Sequence, residues 1–141
     1  MARESLEVMR AAVDAFNARD LDAMLAVSDR EVEWHSTFAV VGGAVYHGHD
    51  GIRRWHRDLE DAWGDEIHLE IESCFDLDDG LLEFGTLHAR GRHSGAKVAL
   101  PIAQIWRIRN GVIAYCKTYT QREEALRELG VSEEGLVPLA L

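Results

Sequence analysis

Positive charge is in short supply in this chain, cysteine is scarce, and no apolar run is long. Asp and Glu outnumber Lys and Arg by 25 to 15, leaving a net charge of −10. A surface that acidic repels phosphate backbones and anionic lipid, so neither a nucleic acid nor a membrane partner is expected. No apolar stretch approaches the ~18–20 residues that span a bilayer. The opening MARESLEVMRAAV is charged and helical in pattern with no signal-peptide core, which makes a cytoplasmic location the expectation. Cys74 and Cys116 are too few for a disulfide framework. Each sits in an apolar, strand-like segment, where a buried free thiol is the ordinary state.

What is present suffices for one domain over residues 1–141, long enough to bury roughly two-thirds of the unfolded surface. Leu6, Met9, Val13 and Phe16 recur at helical spacing and predict an amphipathic helix over residues 3–17. Asn17-Ala18-Arg19 breaks it, and Asp20 is placed to cap a second helix carrying Leu21, Met24 and Leu25. Val32, Trp34 and Ser36 alternate with Glu31, Glu33 and His35, a strand pattern. TFAVVGGAVYHGH reads as a long loop, after which Asp50 caps a third helix bearing Ile52, Trp55 and Leu59.

Beyond Gly64 the period becomes two. Ile67, Leu69 and Ile71 alternate with His68, Glu70 and Glu72, and Asp78-Asp79-Gly80 turns the chain into a strand over about Leu81–Arg92. A turn at Arg92–Gly95 leads to Ala96–Ile108, and Asn110-Gly111 favours a type I′ turn into Val112–Thr120. A short closing helix over Gln121–Leu129 ends at Gly130, a natural C-cap. Helices first and long strands afterwards predict an α+β fold: a cone-shaped half-barrel whose strongly bent, mostly antiparallel sheet wraps three N-terminal helices.

Alternation places Ile102, Gln104 and Trp106 on one face of their strand, Thr86, His88 and Arg90 on one face of theirs, and Tyr115, Lys117 and Tyr119 in a row on the last. Unpaired buried polar groups cost about 1–3 kcal/mol each, so a face mixing His, Gln, Lys and Tyr with Trp suits a ligand pocket. The alternative phase turns Leu87, Ala89, Ile105 and Cys116 inward instead.

AFNARDLDAML, EVEWHS and YHGHDGIRRW together resemble the SnoaL-like branch of the nuclear transport factor 2-like superfamily, over about residues 5–130. The resemblance implies one deep pocket, no cofactor, and pairing of two copies through the outer sheet face. The outer positions taken for that homodimer are Leu87, Val98, Leu100 and Ile105. The catalytic patterns of the superfamily are broken here. The steroid isomerases' carboxylate base falls at Ser36, or at His35 after a one-residue slip. Their oxyanion Tyr falls at Ala12, and the critical Asp shared with the cyclases falls at Gln104. The epoxide hydrolases' Asp-Arg-Asp set matches His88, Thr86 and Lys117 within a residue.

A histidine-centred site is what these patterns leave. Imidazole titrates near neutrality, so His88 or His35 is the candidate proton carrier, with Gln104 or Tyr119 holding a carbonyl oxygen. The expected ligand contacts are Trp34, Ser36, Tyr46 on a covering loop, Trp55, His56, Trp106, Lys117 and Tyr119. His47, His49, His56 and His35 lack metal-ligand spacing, so no metal is expected. Three functions fit: a cofactor-free acid–base enzyme acting on an apolar, carbonyl-bearing small molecule, a binder of such a molecule without turnover, or an interaction module using the sheet face.

Overall fold

The computed structural model describes residues 2–141, with three helices preceding the long strands. Helix α1 (Ala2–Ala18) buries Met9, Ala12 and Val13 along one stripe. It stops where Arg19 adopts φ 59, a left-handed conformation costly for a residue with a Cβ. Asp20 then accepts from Ala23 N–H at 3.0 Å and caps α2 (Leu21–Ala26). At the break, Asn17 donates to the Leu69 carbonyl at 3.0 Å and accepts from Leu69 N–H at 2.8 Å. Those two bonds pin the end of α1 to the strand that carries Leu69.

Strand β1 (Ser28–Ser36) leads into the segment expected to be loop throughout. Part of that segment is a strand, β2 (Ala44–His47), antiparallel to β1. Helix α3 (Gly48–Trp63) starts at once, with His47 at its N-cap rather than Asp50. Strands β3 (Ile67–Leu77), β4 (Gly80–Arg90), β5 (Lys97–Arg109) and β6 (Val112–Tyr119) form an antiparallel meander. Asn110 and Gly111 have φ 53 and 76, both positive as a type I′ turn requires. Helix α4 (Arg122–Leu129) ends on Gly130, left-handed at φ 70, and β7 (Val137–Leu139) adds to the free side of β3.

All seven strands form one curved, unclosed sheet in the order β2-β1-β6-β5-β4-β3-β7. Among the described residues only β1 and β6 run parallel. The inner face packs Leu81, Leu87, Ile102 and Trp106 against Met9, Ala12 and Trp55 of the helices. On the outer face Phe75, Leu82, Phe84, Ala103, Ile105 and Tyr119 make a second cluster, closed over by Ala125, Leu126 and Leu129 of α4. No helix among the described residues is long and apolar enough to cross a membrane.

This layering changes the basis for pairing copies through an apolar outer face. Leu87, Val98 and Leu100 belong to the inner face, opposite or packed with its core residues. Ile105 does point outward, but the chain's own C-terminal segment covers it.

Candidate functional site

Between α1, α3 and the inner face of the sheet lies a narrow cavity. It is a small slit, with a volume of about 40 Å³. Its walls are apolar: Phe16 from α1, Met24 from α2, Trp55 and Leu59 from α3, Leu69 and Leu87 from the sheet. Aromatic rings run along one side. Phe16 stacks on Trp55 at 5.8 Å, Trp55 meets Trp34 at 4.7 Å, and Trp34 meets Trp106 edge-on at 5.7 Å. Stacked and edge contacts of this kind are arrangements that aromatic pairs prefer, each worth about 0.5–1.5 kcal/mol beyond the area buried.

Three polar side chains line the slit: Ser36 at the end of β1, Gln104 on β5 and Thr118 on β6. The parallel pairing of His35 with Lys117 brings the next residues, Ser36 and Thr118, onto neighbouring strands. Trp55 Nε1 donates to Ser36 Oγ at 3.1 Å, and Gln104 Nε2 donates to Thr118 Oγ1 at 2.8 Å. Each hydroxyl thus already accepts a bond, and its own hydrogen is left to donate. Thr37 Oγ1 donates to the Thr118 carbonyl at 3.0 Å and ties the two strand ends together. Gln104 Oε1 is buried without a partner.

Gln104 sits in a row of inward residues, paired with Thr118 on one side and Glu83 on the other, beyond which comes Cys74. Glu83 is 0% exposed. Trp106 Nε1 donates to its Oε1 at 3.3 Å, while its Oε2 has no partner. Burial pushes this carboxyl up to about 8, although the Trp106 bond acts the other way. Burial also raises the thiols of Cys74 and Cys116, which stay protonated and unreactive.

Of the residues expected at the site, Trp34, Ser36, Trp55, Gln104 and Trp106 line the slit. The others do not. His88 points outward with its side chain 48% exposed, and it pairs with Glu70 at 3.0 Å. Thr86, His88 and Arg90 lie past the reach of α4, where outward residues meet water, and Leu87 and Ala89 turn inward. His35 is on the outer side of β1, against Glu33 and the Tyr115 ring. Lys117 and Tyr119 also face outward: they pair with Ile105 and Ala103, both directed away from the slit. The row Tyr115, Lys117 and Tyr119 on β6 thus faces outward rather than inward, and α4 packs over its two tyrosines. Tyr46 belongs to β2 rather than a covering loop, and its hydroxyl bonds to Asp58 at 2.5 Å. Burial first, then that bond, raises the phenol above its ordinary range. His56 lies behind Trp55 against Arg19 and Asp20, in a separate small cavity.

Thr118 and Glu83 escaped the sequence reading. A lone acid inside the apolar run Leu81-Leu82-Glu83-Phe84-Gly85 was the available signal for the latter. His49 bonds to the Ser28 carbonyl at 2.8 Å, and no group of three His, Cys, Asp or Glu suited to a metal occurs among the described residues.

The model of the SnoaL-like domain family matches residues 9–116, more than half of the chain. Among solved structures, an NTF2-like protein of unknown function from Burkholderia pseudomallei is similar at 22% identity and TM-score 0.75, with 88% of this chain and 95% of that one covered. TerC, co-crystallised with polyporic acid, is similar at 22% identity and TM-score 0.74, covering 89% of this chain and 97% of its own. A candidate polyketide cyclase from Xanthomonas campestris is 20% identical with TM-score 0.72, and 90% of this chain and 97% of that one are covered. No curated protein matches the chain.

Proposed function

The chain belongs to the SnoaL-like domain family, and from that premise we propose that it binds a flat, mostly apolar small molecule carrying one carbonyl oxygen. The slit, with the Trp34, Trp55 and Trp106 rings along one side and aliphatic side chains around the rest, supplies an apolar berth. The observation that carries the carbonyl is the state of the two hydroxyls. Ser36 and Thr118 each accept from an indole or amide N–H, so both offer O–H donors from neighbouring strands to one cavity. A carbonyl oxygen has two lone pairs and accepts both. TerC, a protein of the same fold, was co-crystallised with a small molecule, polyporic acid, which supports a small-molecule ligand here.

Binding without turnover is the reading favoured here. Two O–H donors would polarise a carbonyl, yet acid–base chemistry on that ligand also needs a base. Among the described residues, the slit's lining contains no carboxylate, imidazole, amine or thiol. His88 and His35 lie on the other side of the sheet.

The test is a tryptophan-quenching titration with 1-indanone and with indane, its hydrocarbon counterpart. The expected result is saturable binding of both, with the ketone tighter by about tenfold, the worth of a hydrogen bond to a buried group. Equal affinities would remove the carbonyl from the proposal, and no saturable binding of either would remove the pocket.

A further inference from the structure

Glu83 has no place in the ligand contacts just described, although it is the most deeply buried ionisable carboxyl near them. It is wholly enclosed, and among the described residues it forms no ion pair with Lys, Arg or His. A carboxylate in such surroundings is strongly disfavoured, whereas a carboxylic acid is tolerated if its O–H finds an acceptor. Trp106 Nε1 occupies Oε1 at 3.3 Å, which leaves Oε2 to carry the proton. Directly opposite on β5 stands Gln104, whose Oε1 is a buried acceptor with no partner. The amide's other end already donates to Thr118.

We propose that Glu83 is a positioning residue of the pocket: as a neutral acid it donates toward Gln104 Oε1, which fixes the amide so that Nε2 faces Thr118 and the Thr118 hydroxyl points its hydrogen at the ligand. The row Glu83–Gln104–Thr118 is then a one-way relay of donors across three adjacent strands. If the acid ionises, Gln104 gains by turning its N–H₂ toward the carboxylate. Its carbonyl then faces Thr118, whose hydrogen is drawn back to it and lost to the ligand. This inference rests on the reading of Ser36 and Thr118 as carbonyl donors.

The neighbouring titratable groups leave Glu83 as the one that changes state near neutrality. Cys74 on β3 is held protonated to about 12, and Cys116 on β6 is raised well above its ordinary value, both by burial. Glu72 on β3 favours the neutral form of Glu83, and Arg10 of α1 acts on Cys74. Glu83 itself is raised to about 8.

Two measurements on the full chain test this separately from the pocket reading. The first is ligand-free: the Trp106 indole N–H resonance followed by NMR from pH 6 to pH 9.5. It should titrate with a midpoint near 8 in the wild type and stay still in Glu83→Gln. A resonance that does not move in the wild type, or moves equally in Glu83→Gln, overturns the proposal. The second is 1-indanone affinity over the same range. Wild-type affinity should fall about tenfold as Glu83 ionises, Glu83→Gln should lose the pH dependence, and Glu83→Leu should bind as weakly at every pH as wild type does at the alkaline end. A flat wild-type profile, or a Glu83→Leu affinity equal to that of Glu83→Gln, overturns the relay. Absence of indanone binding at every pH overturns the relay together with the carbonyl reading, while the resonance still reports on the acid.

Discussion

Trp55 Nε1 donates to Ser36 Oγ at 3.1 Å, tying the middle of α3 to the last residue of β1. The bond fixes the indole as a wall of the slit and occupies one of the hydroxyl's two lone pairs, which leaves the Ser36 O–H to donate to a ligand. Thr118 is in the same position through Gln104.

From this pairing, Ser36→Ala and Thr118→Val should each weaken 1-indanone by about three- to tenfold, the range for one hydrogen bond, and should leave indane unaffected. Parallel titrations of both probes check this. A loss shared equally by ketone and hydrocarbon would mean that the slit had changed shape instead.

Stability should depend on pH through Glu83 with a definite sign. Its folded value of about 8 stands above the ordinary carboxylate value of 4.5, so the native state keeps a proton that the unfolded state releases between them. Stability contributed by the neutral acid is full below about pH 4.5, declines as pH rises, and levels off above about 8. Glu83→Gln removes that decline, and its advantage over wild type should grow by about 1.4 kcal/mol per pH unit across the window. Urea unfolding at several pH values measures it. A constant difference between the two proteins would contradict the assignment.

His88→Ala should leave 1-indanone affinity unchanged, since the imidazole lies on the outer face against Glu70. The lost pair is exposed, and thermal unfolding should show a change within about 1 kcal/mol. Weakened ligand binding in this variant would restore His88 to the pocket.

The fold was legible because each cue acted locally. Asn17-Ala18-Arg19 marks a break, Asp20 caps, and Asn110-Gly111 turns, whatever the rest of the chain does. Half of the site was legible for the same reason. Trp34 and Ser36 sit on a strand with one polar face, and Ile102, Gln104 and Trp106 keep their phase on β5. Strands β4 and β6 lacked such a guide. Gly80 to Gly85 are buried on both faces, because α4 covers the outer side while the helices cover the inner. Alternation then carries no polarity, and a polar residue such as His88 is as consistent with one phase as with the other. The register that places Glu83 opposite Gln104 comes from long-range pairing, which also involves the irregularity between Ile71 and Ser73. No local pattern encodes it.

The most direct test of the carbonyl berth is the C=O stretching frequency of bound 1-indanone, measured by isotope-edited infrared difference spectroscopy. Two O–H donors weaken the bond, so the bound ketone should absorb at lower frequency than it does in a hydrocarbon solvent. The band should shift back upward in the Ser36→Ala/Thr118→Val double variant. A bound ketone with its hydrocarbon-solvent frequency in the wild type, or one unchanged by the double substitution, would contradict the proposal that Ser36 and Thr118 hold the ligand's oxygen.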